Sequence, residues 1–202
     1  MHVEMFPTGR LQTNCYVVSC VETKEAVIID PGMDFEVEAQ PVFKYVDEEK
    51  LKIKFIVNTH GHQDHINSDI LMQKKYSVPI CIHEQDAYFI ECLGPRSVVD
   101  VLLKDGGSVV FGNVCLKVMH APGHSRGGIC LVGDGVMFSG DTLFAECIGR
   151  TDFVESSPKD MVVTLRKIVG LPDGLLVYPG HDEVTVLGKE KLVNPFLVNL
   201  KL

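Results

Sequence analysis

Within the run Thr59-His60-Gly61-His62-Gln63-Asp64-His65 the chain places three histidines and one aspartate. The run directly follows Ile53 to Asn58 (IKFIVN), which reads as a strand with an apolar end. Alternate side chains of an extended chain share a face, so His60, His62 and Asp64 point together beyond the strand end. His65 enters the following turn and comes round to the same opening. Imidazole and carboxylate are the donors that zinc, iron and manganese take. Four such groups exceed the need of one catalytic ion; two adjacent ions would use them all, given further ligands elsewhere. A solvated histidine-rich loop is the competing reading. It suits an isolated histidine better than an internal cluster that follows an apolar strand.

Three later segments offer the missing donors: His124 in Ala121-Pro122-Gly123-His124-Ser125, Asp141 in Phe138-Ser139-Gly140-Asp141-Thr142, and His181 in Tyr178-Pro179-Gly180-His181-Asp182. Each follows an apolar, strand-like run and is preceded by glycine, which permits a tight turn and close backbone approach. Each alone is a weak signal; together with the first cluster they form a specific pattern.

The elements that must position these groups are legible in part. Asn14 to Cys20 and Ala26 to Asp30 read as strands, the second closed by Asp30-Pro31-Gly32. Phe35 to Glu49 has helical spacing, with Pro41 predicting a late start or a kink. Ile66 to Tyr76 reads as one helix, Val78 to Ile82 as a strand and Glu84 to Glu91 as a helix. Four short strands follow, over Ser108–Phe111, Val114–Met119, Gly128–Val132 and Val136–Ser139. Pro158 to Val169 is a helix with proline in its first turn, Leu175 to Tyr178 a strand, and the last dozen residues a helix interrupted by Pro195. This order excludes a plain alternating βα wheel and predicts sheets covered by helices.

A length of 202 residues predicts a single domain over 1–202 that needs no disulfide staples. Formal charge is −8, which argues against nucleic acid or an anionic membrane as partner. The start has neither a basic n-region nor an apolar h-region, and the longest apolar candidate, Ser97 to Leu103, is short and carries Asp100. The seven cysteines are odd in number and include no C-x-x-C, which predicts buried, reduced thiols in a cytoplasmic protein.

The set T-H-G-H-Q-D-H, P-G-H-S, G-D-T and P-G-H-D resembles the metallo-β-lactamase superfamily, in particular its short glyoxalase II (hydroxyacylglutathione hydrolase)-like members. Thr13-Asn14-Cys15-Tyr16, Asp30-Pro31-Gly32, Gly149-Arg150-Thr151-Asp152-Phe153 and Asn194-Pro195-Phe196-Leu197 extend the resemblance over nearly the whole chain. It implies an α+β fold, a four-layer αβ/βα sandwich of two mixed β-sheets with helices on the outer faces. It implies two divalent metal ions, zinc first, with iron or manganese as alternatives. His60, His62 and His124 would hold one, Asp64, His65 and His181 the other, with Asp141 bridging.

Two such ions lower the pKa of a water they share from about 15.7 toward roughly 7 and polarise a carbonyl. The implied activity is hydrolysis of a small-molecule S-acyl thioester such as S-lactoylglutathione. Asp64 would be both ligand and orienter of the attacking water. Arg150 faces either a substrate carboxylate or Asp152, Cys147 is a candidate pocket-lining residue, and His120 either holds a ligand by a hydrogen bond or packs as a structural histidine. His83 reads as a capping or packing residue, with pocket lining as the alternative, and Asn14 and Tyr16 read as structural. Full-length glyoxalase II proteins carry a helical C-terminal domain that grips glutathione, and this chain ends shortly after Asn194-Pro195-Phe196. The resemblance therefore supports the acyl-thioester class rather than a particular thiol. Persulfide dioxygenases, which use one iron held by two His and one Asp, share the motif set and are the alternative, as is a lactonase or other metallohydrolase of the superfamily. An exported β-lactamase, an RNA-processing nuclease and a binding module without catalysis are disfavoured.

Overall fold

The computed structural model describes residues 1–94 and 99–200. Its first half runs β1 (His2–Thr8), β2 (Thr13–Ser19), β3 (Glu25–Ile29), α1 (Gln40–Glu48), β4 (Lys52–Val57), α2 (Gln63–Ile66), α3 (Asp69–Tyr76), β5 (Ile80–His83), α4 (Ala87–Glu91) and β6 (Val101–Leu103). These strands form one six-stranded sheet in sequence order, antiparallel from β1 to β3 and parallel from β3 to β6. The second half runs β7 (Ser108–Phe111), β8 (Val114–His120), β9 (Ile129–Gly133), β10 (Val136–Gly140), β11 (Leu143–Phe144), β12 (Cys147–Ile148), α5 (Pro158–Val169), β13 (Leu176–Pro179), β14 (Thr185–Val186), α6 (Leu187–Val193) and α7 (Pro195–Val198). Its main sheet has the order β14-β13-β10-β9-β8-β7, with only β10 and β13 parallel. β11 and β12 pair separately as a small hairpin.

Strand alternation builds the layers. In β2, Cys15 and Val17 face α1 to α4, whereas Tyr16 and Val18 face the other sheet. In β3, Ala26 and Ile28 take the first side, Val27 and Ile29 the second. In β10, Val136 and Phe138 point between the sheets while Met137 packs under α5 with Met161, Leu165 and Ile168. Three apolar layers therefore separate four layers of structure, helix, sheet, sheet and helix. Both faces of the central strands are buried, which is why they read as continuous apolar runs. Phe138 sits fully buried between the sheets, edge-on to Tyr16 at 5.3 Å and stacked on Tyr178 at 5.2 Å.

Local chemistry sets the element ends. Ser157 caps α5 by accepting from Asp160 N–H, Pro158 occupies its first turn, and Arg166 and Lys167 lie in its last turn beside the helix carbonyls. The turn between β7 and β8 uses Gly112 at φ 54°.

Several expectations are corrected. The stretch Ile66 to Tyr76 is not one helix: the Ser68 N–H bonds the Pro31 carbonyl at 2.9 Å, and α3 restarts at Asp69. Residues 83–86 form a turn, so the helix expected from Glu84 begins only at Ala87. Pro41 lies in the first turn of α1, preceded by a 3-10 turn over Glu36–Ala39, so the helix starts late and is not kinked. The C-terminal helix splits at Asn194, whose side chain caps α7. β1, β6, the β11–β12 hairpin and β14 were not anticipated. Of the Ser97 to Leu103 run, Ser97 and Val98 fall outside the described residues, and Val101–Leu103 is β6. All seven cysteines are free, but Cys92, Cys115 and Cys147 are exposed. Cys115 points to the opposite face of β8 from the buried Val114 and Leu116. Among the described residues no helix is long and apolar enough to cross a membrane.

Phe138→Ala should lower unfolding free energy by about 3–5 kcal/mol, through lost transfer energy and the cavity left between the sheets. Urea denaturation should show a lower midpoint at an unchanged slope.

Candidate metal centre

The predicted donors meet at one edge of the sandwich, where strand ends of both sheets converge. His60 and His62 follow β4, Asp64 and His65 lie on α2, His124 follows β8, Asp141 follows β10 and His181 follows β13. Among the described residues three sets of donor atoms lie within 4.8 Å of one another: His60, His62 and His124; Asp64, His65 and His181; and Asp30, His60 and His65.

In the first set His62 Nδ1 lies 3.1 Å from His60 Nε2 and 2.8 Å from His124 Nε2. In the second, His181 Nε2 lies 3.3 Å and His65 Nε2 3.6 Å from Asp64 Oδ2. Asp141 stands between the sets, with Oδ2 3.3 Å from His124 Nε2 and 3.6 Å from His181 Nε2, and Oδ1 3.4 Å from His65 Nε2. The third set is different in kind. Asp30 accepts from Thr59 N–H at 2.7 Å, from Thr59 Oγ1 at 2.6 Å and from His65 Nδ1 at 3.0 Å. Its oxygens are spent on holding the site, and its backbone adopts φ 51° to reach there.

Each histidine turns one ring nitrogen outward to a protein acceptor. His60 Nδ1 meets Thr59 Oγ1 at 3.2 Å, His65 Nδ1 meets Asp30, His124 Nδ1 meets the Arg150 carbonyl at 2.9 Å, and His181 Nδ1 meets the Leu11 carbonyl at 3.1 Å. His62 is the exception in polarity: its Nε2 is outward, 2.8 Å from Glu155 Oε1. Occupied outward nitrogens leave the inward ones as lone pairs.

The electrostatics agree. Burial and the neighbouring imidazoles hold His60 well below its usual pKa, so it presents a neutral ring. Burial opposes the charge on Asp64, but the His181 hydrogen bond and the nearby His65 outweigh it and keep its carboxyl well below the usual range. Burial likewise opposes a charge on His65, yet Asp141 and Asp30 raise its pKa overall. The carboxylates thus raise His65 and His181, whereas burial keeps His124, also beside Asp141, below its usual pKa. His65 Nε2 and Asp141 Oδ1 are moreover buried with no hydrogen-bond partner. Converging lone pairs, carboxylates seeking positive charge and two orphaned polar atoms fit divalent cations.

Close approach explains the glycines. A Cβ on Gly180 would collide with Asp141 Oδ1, and one on Gly61 with the Phe89 ring. Asp86, buried, accepts from Gly61 N–H at 3.0 Å and from Gly127 N–H at 2.6 Å, joining the loop of His60 and His62 to the loop after His124. Asn14 and Tyr16 reach the Pro179 carbonyl at 3.1 and 2.6 Å, anchoring the turn before His181.

The remaining predicted residues lie elsewhere. Arg150 pairs bidentately with Asp152 at 2.9 Å; its carbonyl, not its guanidinium, serves the site. Cys147 is exposed on β12, its thiol directed to the Ile148 carbonyl. His120 stacks on His83 at 4.2 Å and bonds the Arg126 carbonyl at 2.9 Å, so it packs and does not hold a ligand. Asp86 and Glu155 carry no sequence signal; Asp30 and Thr59 fall within the quoted motifs Asp30-Pro31-Gly32 and T-H-G-H-Q-D-H, but their supporting roles do not show there.

Fold and donor set define a metal-binding αβ/βα sandwich. The metallo-beta-lactamase superfamily model matches residues 8–181, and the chain belongs to that superfamily as a metallo-hydrolase. It is 32% identical to the hydroxyacylglutathione hydrolase GloC of Haemophilus influenzae, over 98% of each chain. Among solved structures, BLEG-1 B3 metallo-beta-lactamase superposes with TM-score 0.86 at 32% identity, covering 97% of this chain and 99% of that one. The di-iron-bound form of TTHA1623 superposes with TM-score 0.81 at 30% identity, covering 96% and 100%.

Asp86→Ala should leave two buried N–H groups unpartnered, at about 1–3 kcal/mol each. Hydrogen exchange should accelerate at Gly61 and Gly127 before it does in the strands.

Proposed function

We propose that this protein hydrolyses an S-acyl thioester, S-lactoylglutathione being the type substrate, at a centre that binds two divalent cations. The observation that carries this reading is Asp141, whose carboxylate lies between two donor sets and within 3.6 Å of a nitrogen from each. His60, His62 and His124 would hold one cation, Asp64, His65 and His181 the other, with Asp141 shared. When bound, such cations supply a water of lowered pKa and a Lewis acid for the carbonyl. Zinc suits the histidine-rich set, and iron does as well, as in the di-iron-bound relative. The GloC relative supports the thioester class, and free thiols throughout support a cytoplasmic setting.

The chain's own groups do the positioning. Thr13 Oγ1 donates to Asp64 Oδ2 at 3.0 Å, which fixes the carboxylate beside His65 and His181. A cleft of 380 Å³ opens onto Asp64 and is walled by Arg10, Leu11, Thr13, Gln63 and Asn67. Its lining combines Leu11 and glycines with the amides of Gln63 and Asn67 and the Arg10–Asp34 ion pair, which suits a polar, peptide-like carrier. A thiolate leaves readily, so no dedicated acid is required beside the scissile bond.

Purified protein should contain two metal equivalents and turn over S-lactoylglutathione. Asp141→Asn and His60→Ala should each lose bound metal and about a thousandfold or more of turnover, since several kcal/mol of transition-state stabilisation depends on the ligands. One iron per chain, with oxygen uptake on glutathione persulfide and no thioester turnover, would overturn the proposal.

A further inference from the structure

Glu155 lies outside every motif described above, yet its carboxylate touches the three-histidine set. Oε1 is 2.8 Å from His62 Nε2, and the two side chains are only 23% and 16% exposed. That distance is typical of a charge-assisted bond, stronger than a neutral one. His62 differs from its neighbours in facing inward through Nδ1, so its ring must be held by the far nitrogen. The outer partners of His60 and His124 are neutral, a hydroxyl and a backbone carbonyl. Only His62 in this set has an anionic one.

The segment that carries Glu155 is itself clamped to the site. The Arg150 carbonyl accepts from His124 Nδ1, Ser156 Oγ donates to the His124 carbonyl at 2.6 Å, and Ser157 N–H bonds the Gly123 carbonyl at 2.8 Å. The Phe153 ring rests 5.1 Å from His62 and 5.7 Å from His124. The carboxylate is thereby delivered on a braced loop.

We propose that Glu155 is a positioning residue: it holds the His62 ring by its Nε2–H, aims Nδ1 into the three-histidine set and raises that set's affinity for a cation. This rests on His62 being a ligand and is independent of which substrate is hydrolysed. A carboxylate behind a ligating imidazole fixes its orientation and increases its basicity, and losing such a partner costs about 10–100-fold in metal affinity.

The test reads metal binding, not turnover. Ring-nitrogen NMR signals of His62 are followed as zinc is added to metal-free protein, which reports the affinity at this set whichever ion binds first. Glu155→Ala should weaken zinc binding at His62 by about 10–100-fold and expose the Nε2–H proton to rapid solvent exchange. Glu155→Gln, whose amide oxygen still accepts, should keep the protected proton and recover much of the affinity. Val154→Ala, at a neighbouring side chain that is 97% exposed, should match the parent protein. The proposal is overturned if Glu155→Ala binds within twofold of the parent, if Glu155→Gln is no better than Glu155→Ala, or if Val154→Ala weakens binding equally. Absence of thioester turnover with these affinity changes intact would refute the substrate assignment alone.

Discussion

Five imidazoles are crowded so closely that His60 and His65 have ring centroids 4.1 Å apart. Rings at such distances are tolerable only if the nitrogens facing one another are not all protonated. The protein meets that constraint from outside, by giving each outward nitrogen an acceptor. Thr59 Oγ1 accepts from His60 and donates to Asp30, and Asp30 also accepts from His65. One buried carboxylate therefore orients a histidine of each main donor set.

The acceptors come from remote places, and this ties the site to the architecture. Leu11 lies in the turn between β1 and β2, Asp30 follows β3, and Arg150 and Glu155 belong to the segment between β12 and α5. For these to converge, strand ends of both sheets must lie at one edge of the sandwich. Backbone bonds lock them there: Ile129 N–H to the Thr59 carbonyl at 2.8 Å, Gly180 N–H to the Gly140 carbonyl at 2.9 Å, and Asn14 N–H to the Gly180 carbonyl at 2.7 Å. The apolar layer between the sheets, centred on Phe138, Tyr16 and Tyr178, sets their spacing. Packing far from the chemistry thus controls where the imidazoles stand.

Strands with apolar runs were legible because burial on both faces leaves little ambiguity, as in β3 and β10. α5 was legible to the residue because its serine cap, first-turn proline and amphipathic spacing all agree. The short helices were less so. The break between α2 and α3 depends on Pro31, which lies more than thirty residues away in sequence and leaves no trace in the local periodicity. β1 was missed because it is an edge strand whose mixed burial produces no clean alternation. For Arg150 and His120 residue type left two readings each, and the fold decides between them: the guanidinium pairs with Asp152 and the His120 ring packs on His83.

The donors are written in the chain itself: five histidines and two aspartates in four motifs, of types that suit divalent cations, ordered after apolar strands. It also carried the sandwich, through the resemblance of those motifs in their order. Folding alone fixes which nitrogen of each ring faces inward, that Asp141 lies between two donor sets, and that Asp30, Asp86 and Glu155 support them. The reason is physical. Ring orientation is set by hydrogen bonds whose partners are 93 residues apart for His62 and Glu155, and 170 apart for His181 and Leu11. Two of the five acceptors are backbone carbonyls, which every residue possesses and no residue type announces.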